Sequence, residues 1–241
     1  MSLDHSQRYG NFTSSQIGHL CTSDKKGGFG KPALNYIQDK VFETRLGQRI
    51  DTETSAKSTT WGTLAEAWAH SKLDMWWELV SDKTISHESI EFWSGSPDLT
   101  RIKDNIKTVG DIKCPFTKKS YATLADICIS KDLDKFKDEY PLYFWQLISN
   151  SVLVKATHAE LIITMPYLEE LSEIRDLANS ANDEDKYQYF WVSAAKDNQL
   201  PFLIKGNYYL NSYSLNFQVP GNDVDFLTER IKLANLERLK F

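Results

Sequence analysis

The chain has 241 residues, 41% of them hydrophobic and 12% aromatic, which suits one domain with a sizeable core and excludes long disorder. Its formal net charge of −5 argues against a generally basic nucleic-acid coat while leaving room for a local basic groove. No apolar run approaches the roughly 20 residues of a membrane span, and the polar stretch from Met1 to Arg8 holds no apolar leader, so the expectation is a soluble, cytoplasmic protein with no membrane association.

In chain order, Thr13 to Cys21 reads as a short helix capped by Ser14 or Ser15. The segment D-K-K-G-G-F-G-K-P that follows is no phosphate-binding loop, because Pro32 stands after Lys31 and no strand precedes it. Apolar residues at Leu34, Ile37, Val41 and Phe42 predict a helix from Ala33 to Leu46, ended by Gly47. After a polar connector, Trp61, Leu64, Ala65, Trp68 and Leu73 predict a second helix from Thr59 to about Glu78. Strands are expected at Ser89 to Trp93, Thr108 to Cys114 and His158 to Met165, with Pro115 and Pro166 as stops. Between the last two, Leu142, Trp145 and Val152 mark a crossover helix from Glu139 to Lys155. A helix from Leu168 to Ser180, an aromatic strand pair at Tyr187 to Ala194 and Tyr213 to Val219, and a closing helix from Asp223 to Leu239 complete the pattern. The whole is expected as a single α/β domain over 1–241, with a helical part at 1–80, a sheet core at 85–166 and the aromatic strand pair and helix at 187–241.

The chemistry concentrates between Trp93 and Ser120. On a strand, alternate side chains share a face, so Asp111 and Lys113 project together while Ile112 turns into the core. Asp98, presented by the Ser96-Pro97 turn, joins them if Leu99 to Gly110 folds back as an irregular hairpin. Two carboxylates beside one lysine, with no His or Cys, suit Mg²⁺ or Mn²⁺ rather than Zn²⁺. A lysine beside metal-bound water can orient it and stabilise charge on a phosphate, which points to phosphodiester hydrolysis. The five histidines and three cysteines have no metal-ligand spacing, and Cys21, Cys114 and Cys128 read as reduced core thiols.

The text G-S-P-D followed by G-D-I-K-C-P-F-T resembles the PD-(D/E)XK nuclease superfamily, specifically the lambda exonuclease and YqaJ group of viral recombination nucleases. Asp111 replaces the Glu that is usual there, and Leu99 stands where Gly is common. The resemblance implies a restriction-endonuclease-like core, a central mixed sheet flanked by helices. It also implies metal ligation by Asp98, Asp111 and the backbone carbonyl of Ile112, compatible with a two-metal site, and a catalytic Lys113. Glu66, in W-G-x-x-x-E, matches the family helix whose Glu supports the metal; its alternative is a capping box with Thr63. Arg8 and Ser15, in R-Y-G-N-F-T-S-S, match the motif that binds the terminal phosphate, and Ser96 would complete that pocket. Gln146 matches the glutamine on the helix after the catalytic strand, while Lys118 and Lys119 could clamp the DNA backbone.

The function so implied is a Mg²⁺-dependent deoxyribonuclease that digests one strand of double-stranded DNA from a 5′-phosphorylated end, in the 5′-to-3′ direction. Competing expectations are an endonuclease with the same centre and a catalytically silent DNA-end-binding module in which Asp111 is too short. A phage or prophage origin, a single-strand annealing partner and a ring-shaped homotrimer, as in relatives, follow from the resemblance alone.

Overall fold

The structure, a computed structural model, describes residues 9–50, 57–80, 83–181 and 183–241. The chain enters through β1 (Phe12–Thr13) and a 3-10 turn at Ile17–Cys21, where a single helix was expected. The glycine-rich segment after it closes on Asp24, whose carboxylate accepts the amides of Lys26 and Gly28 at 2.8 Å each, so those amides are not offered to a phosphate. Helix α1 (Lys31–Leu46) carries Pro32 in its first turn and ends at Gly47, which adopts φ 65° as a left-handed stop suited to glycine.

Helix α2 (Lys57–His70) ends earlier than the expected Glu78. The tryptophan-rich segment beyond it leaves the helix and leads into β2 (Glu78–Leu79). Strand β3 (Ile85–Ser86) precedes β4 (Trp93–Gly95), which starts where the expected strand was to finish. Next comes a regular hairpin of β5 (Leu99–Lys103) and β6 (Ile106–Lys113). Its loop is two residues long, with Asp104 at φ 53° and Asn105 at φ 62°. Two successive positive φ values match the twist of the flanking strands, and Asp and Asn tolerate them better than most residues.

Between β6 and the next strand lie α3 (Lys118–Ser130), α4 (Leu133–Glu139) and α5 (Pro141–Val154), of which the sequence reading had anticipated only the last. Strand β7 (His158–Thr164) is followed by a 3-10 turn, α6 (Leu171–Ser180) and α7 (Asp183–Ala194). Helix α7 corrects the expected strand at Tyr187 to Ala194. Its aromatic and β-branched composition favours strand, but Tyr189 and Val192, three apart, are buried in the core formed with α2 and α6. Strand β8 (Ser212–Gln218) and α8 (Gly221–Arg238) end the chain.

The main sheet runs β2-β5-β6-β7-β8 and a smaller one β1-β4-β3. Strands β6 and β7 are parallel, and the other neighbours in the main sheet are antiparallel. Alternation along the strands feeds two cores. Val109, Leu161, Ile163, Leu215 and Phe217 pack with α3, α5 and α8 on one face, whereas Leu99, Ile112 and Ile162 pack with α2, α6 and α7 on the other. Among the described residues no helix is long and apolar enough to cross a membrane.

Candidate active site

Strand β6 sets the geometry. Ile112 is 2% exposed in the second core, so the alternation turns Asp111 and Lys113 to the opposite face, beneath α5. Asp111 is completely buried. Its Oδ1 accepts the Gln146 side-chain amide of α5 at 2.8 Å, and its Oδ2 lies 2.6 Å from Lys113 Nζ. Apart from that ion pair, Oδ2 is a buried oxygen without a hydrogen-bond partner among the described residues.

The hairpin returns Asp98 to the same place. Leu99 pairs with Gly110, and Asp98 Oδ2 accepts the Ile112 amide at 3.2 Å. Burial and the neighbouring Asp111 carboxylate raise its pKa well above the ordinary value, because two desolvated like charges resist joint ionisation. Glu66 approaches from α2. Burial pushes its carboxyl up to about 7, a rise that Lys113 opposes and Asp111 reinforces. Thr63 lies inside α2, and its hydroxyl bonds the Thr59 carbonyl at 3.2 Å. It cannot form an N-terminal capping box, so the structural alternative for Glu66 is removed.

Burial works against the charge of Lys113, but Asp111, Asp98 and Glu66 outweigh it and lift its pKa. Tyr143 of α5, which the sequence reading missed, lies under this ammonium with its ring centroid 5.1 Å from Nζ. Its position one helical turn before Gln146 was the available signal. Glu66, Lys113, Tyr143, Cys114, Phe116 and the Ser58-Thr59 hydroxyls line an open cavity of about 330 Å³.

The remaining candidates are more dispersed. Lys118 and Lys119 are exposed in the first turn of α3, with Lys118 Nζ 4.5 Å from the Phe202 ring centroid. Ser96 is half-buried, its hydroxyl 3.3 Å from that of Thr84. Ser15 is exposed and lines a separate cavity of about 730 Å³ with His19, Lys31, Lys40 and Arg49. Arg8 lies outside the described residues.

The structure of LHK-Exo, an alkaline exonuclease from Laribacter hongkongensis, and its structure in complex with dAMP both match 98% of this chain and 91% of theirs. Identity is 14% and the TM-score 0.62. A phage-related exonuclease from Haemophilus somnus 129PT matches 95% of this chain over 93% of its own, at 15% identity and TM-score 0.58. The chain has the fold of these exonucleases. That exonuclease fold agrees with the resemblance to the lambda exonuclease and YqaJ group and with the PD-(D/E)XK core it implied. No family model matches the chain, and no curated protein matches it in sequence.

Within the exonuclease fold, the donor set fits a hard divalent cation. Asp111 is fully buried and Asp98 and Glu66 are half-buried, one oxygen of Asp111 lacks a hydrogen bond, and the nearest compensating charge is an ammonium. Among the described residues no three His, Cys, Asp or Glu side chains are gathered into a ready-made cage, and a site of this kind would draw on backbone carbonyl and water oxygens as well.

Proposed function

We propose that this protein is a divalent-metal-dependent DNA exonuclease that digests one strand of duplex DNA in the 5′-to-3′ direction from a 5′-phosphorylated end. The observation that carries this reading is the convergence of Asp98, Asp111, Lys113 and Gln146 at one buried point, with Glu66 beside them, in a fold shared with exonucleases. LHK-Exo has been crystallised with dAMP, a deoxynucleoside monophosphate of the kind that stepwise digestion releases.

Asp98, Asp111 and the Ile112 carbonyl would hold Mg²⁺ or Mn²⁺, with Glu66 supporting the site, and the cation would neutralise the scissile phosphate and acidify a water. Gln146 holds the Asp111 carboxylate in orientation. Lys113, kept protonated by its three carboxylates, orients the attacking water and donates to the charge that grows on phosphate oxygen. Hydroxyls of Ser15 and Ser96, with Arg8, would receive the terminal phosphate and place the adjoining phosphodiester at the centre, so that positioning alone restricts cleavage to ends.

Digestion of linear 5′-phosphorylated duplex with Mg²⁺, compared with closed circles and with a chelator, tests the reading. Mononucleotide release from linear DNA only, abolished by the chelator, is the expected result. Efficient cutting of circles would instead support an endonuclease. Lys113→Ala should slow cleavage by about 10²-fold or more while leaving DNA binding intact, and normal turnover by that variant would remove Lys113 from the mechanism.

A further inference from the structure

Helix α5 does more than present Gln146 to Asp111. One turn further on, Ser149 is completely buried and its Oγ makes two contacts. It accepts the indole N–H of Trp93 at 2.8 Å and forms a hydroxyl–hydroxyl hydrogen bond with Ser14 at 2.8 Å. Trp93 opens β4, which ends at Gly95 and is followed along the chain by Ser96, Pro97 and Asp98. Ser14 directly follows β1 and directly precedes Ser15. The two strands are parallel neighbours, with Phe12 beside Trp93 and Thr13 beside Ser94. Ser15 and Ser96 therefore each stand two residues past the last registered pair.

The junction is tight and polar. A Cβ on Gly95 would meet Ser14 Oγ at 2.1 Å, Asn150 Oδ1 at 2.7 Å and Leu153 Cδ1 at 2.8 Å, so only glycine lets β4 approach α5 this closely. Asn150 is also fully buried, and neither of its amide atoms has a hydrogen-bond partner among the described residues. An apolar helix face would have packed these elements without such buried polar groups. Hydroxyl and indole contacts are directional, so they fix the sliding of β1 and β4 along α5, which hydrophobic packing leaves softer.

We propose that Ser149 is a positioning residue that sets the register between the end-binding hydroxyls and the cleavage centre, and thereby determines the preference for phosphorylated ends. One helix face then holds Asp111 through Gln146, and the Ser15 and Ser96 segments through Ser149. The distance from terminal phosphate to scissile phosphodiester is set by the pitch of α5. This inference rests on the exonuclease reading above and extends it to a residue remote from the DNA.

The test compares kcat/KM on 5′-phosphorylated and 5′-hydroxyl duplexes of the same sequence, for the wild type and for Ser149→Ala, with thermal melting of each protein. Loss of fold stability would lower activity on both ends alike and leave the ratio unchanged. Loss of register lowers kcat on the phosphorylated end selectively, and the phosphate preference should fall by roughly tenfold or more. An unchanged ratio in folded Ser149→Ala overturns the inference. Should that variant fail to fold, Trp93→Phe, which removes the indole donor together with part of the buried ring, decides by the same criterion. A wild type with no preference for phosphorylated ends would overturn the end-directed reading itself, a result distinct from a preference that survives the substitution.

Discussion

In the proposed mechanism Asp111 meets two opposed demands: complete burial and ligation of a cation. Its two oxygens divide the task, Oδ1 to the Gln146 amide and Oδ2 to the neighbourhood of Lys113. Gln146→Leu should raise the Mg²⁺ concentration needed for half-maximal cleavage by about 10–100-fold, the usual cost of losing a group that orients a metal ligand. A metal titration of the cleavage rate measures it. The Glu usual in the nuclease group that this sequence resembles is one methylene longer than Asp111, whose side chain is completely buried. Asp111→Glu should therefore lose about 1–3 kcal/mol of stability by overpacking, read by chemical denaturation; an unchanged stability would mean that Gln146 and Tyr143 yield easily. Tyr143 escaped the sequence reading because α5 is so apolar that each of its aromatic residues is equally well explained by the core.

Among the elements, the β5-β6 hairpin does the most to build the site, because its length returns Asp98 to Asp111. The expectation was an irregular fold-back. The structure instead uses a two-residue loop, and Asp104-Asn105 was its sequence signal. Asn105→Gly removes the cost of a positive φ but adds freedom to the unfolded chain, so stability should change little, while Asn105→Val should destabilise the protein by about 1–2 kcal/mol. The midpoint of urea unfolding reports both. A register slip in this hairpin would displace Asp98 from the Ile112 amide, so Asn105→Val should also slow cleavage. Helix α7 teaches the opposite lesson. Tyr187 to Ala194 is rich in the aromatic and β-branched residues that favour strand, yet the buried pair Tyr189 and Val192 has helical spacing, and the surface offered by α2 and α6 settles the matter.

For the whole molecule, the assembled carboxylates store a pH dependence. Glu66 is raised from an ordinary 4.5 to about 7, and Asp98 is raised as well. The folded chain thus binds more protons than the unfolded chain between those values, and its stability falls as pH rises through that window. In chelator, the melting temperature of the wild type should drop between about pH 5 and about pH 8 by more than that of Glu66→Gln, and Mg²⁺ should restore most of it at the higher pH. Equal drops in the two proteins would show that Glu66 is not desolvated by this site. The sequence by itself determined the alternation that puts Asp111 and Lys113 on one face and the periodicity of α1, α5 and α8, because these depend on neighbours within a few residues. Only the tertiary structure decided that Glu66 is no helix cap, that α7 is not a strand and that Ser149 ties β1 and β4 to the helix holding Asp111. Those facts rest on contacts between segments tens of residues apart, whose energies exceed the local preferences that a sequence displays.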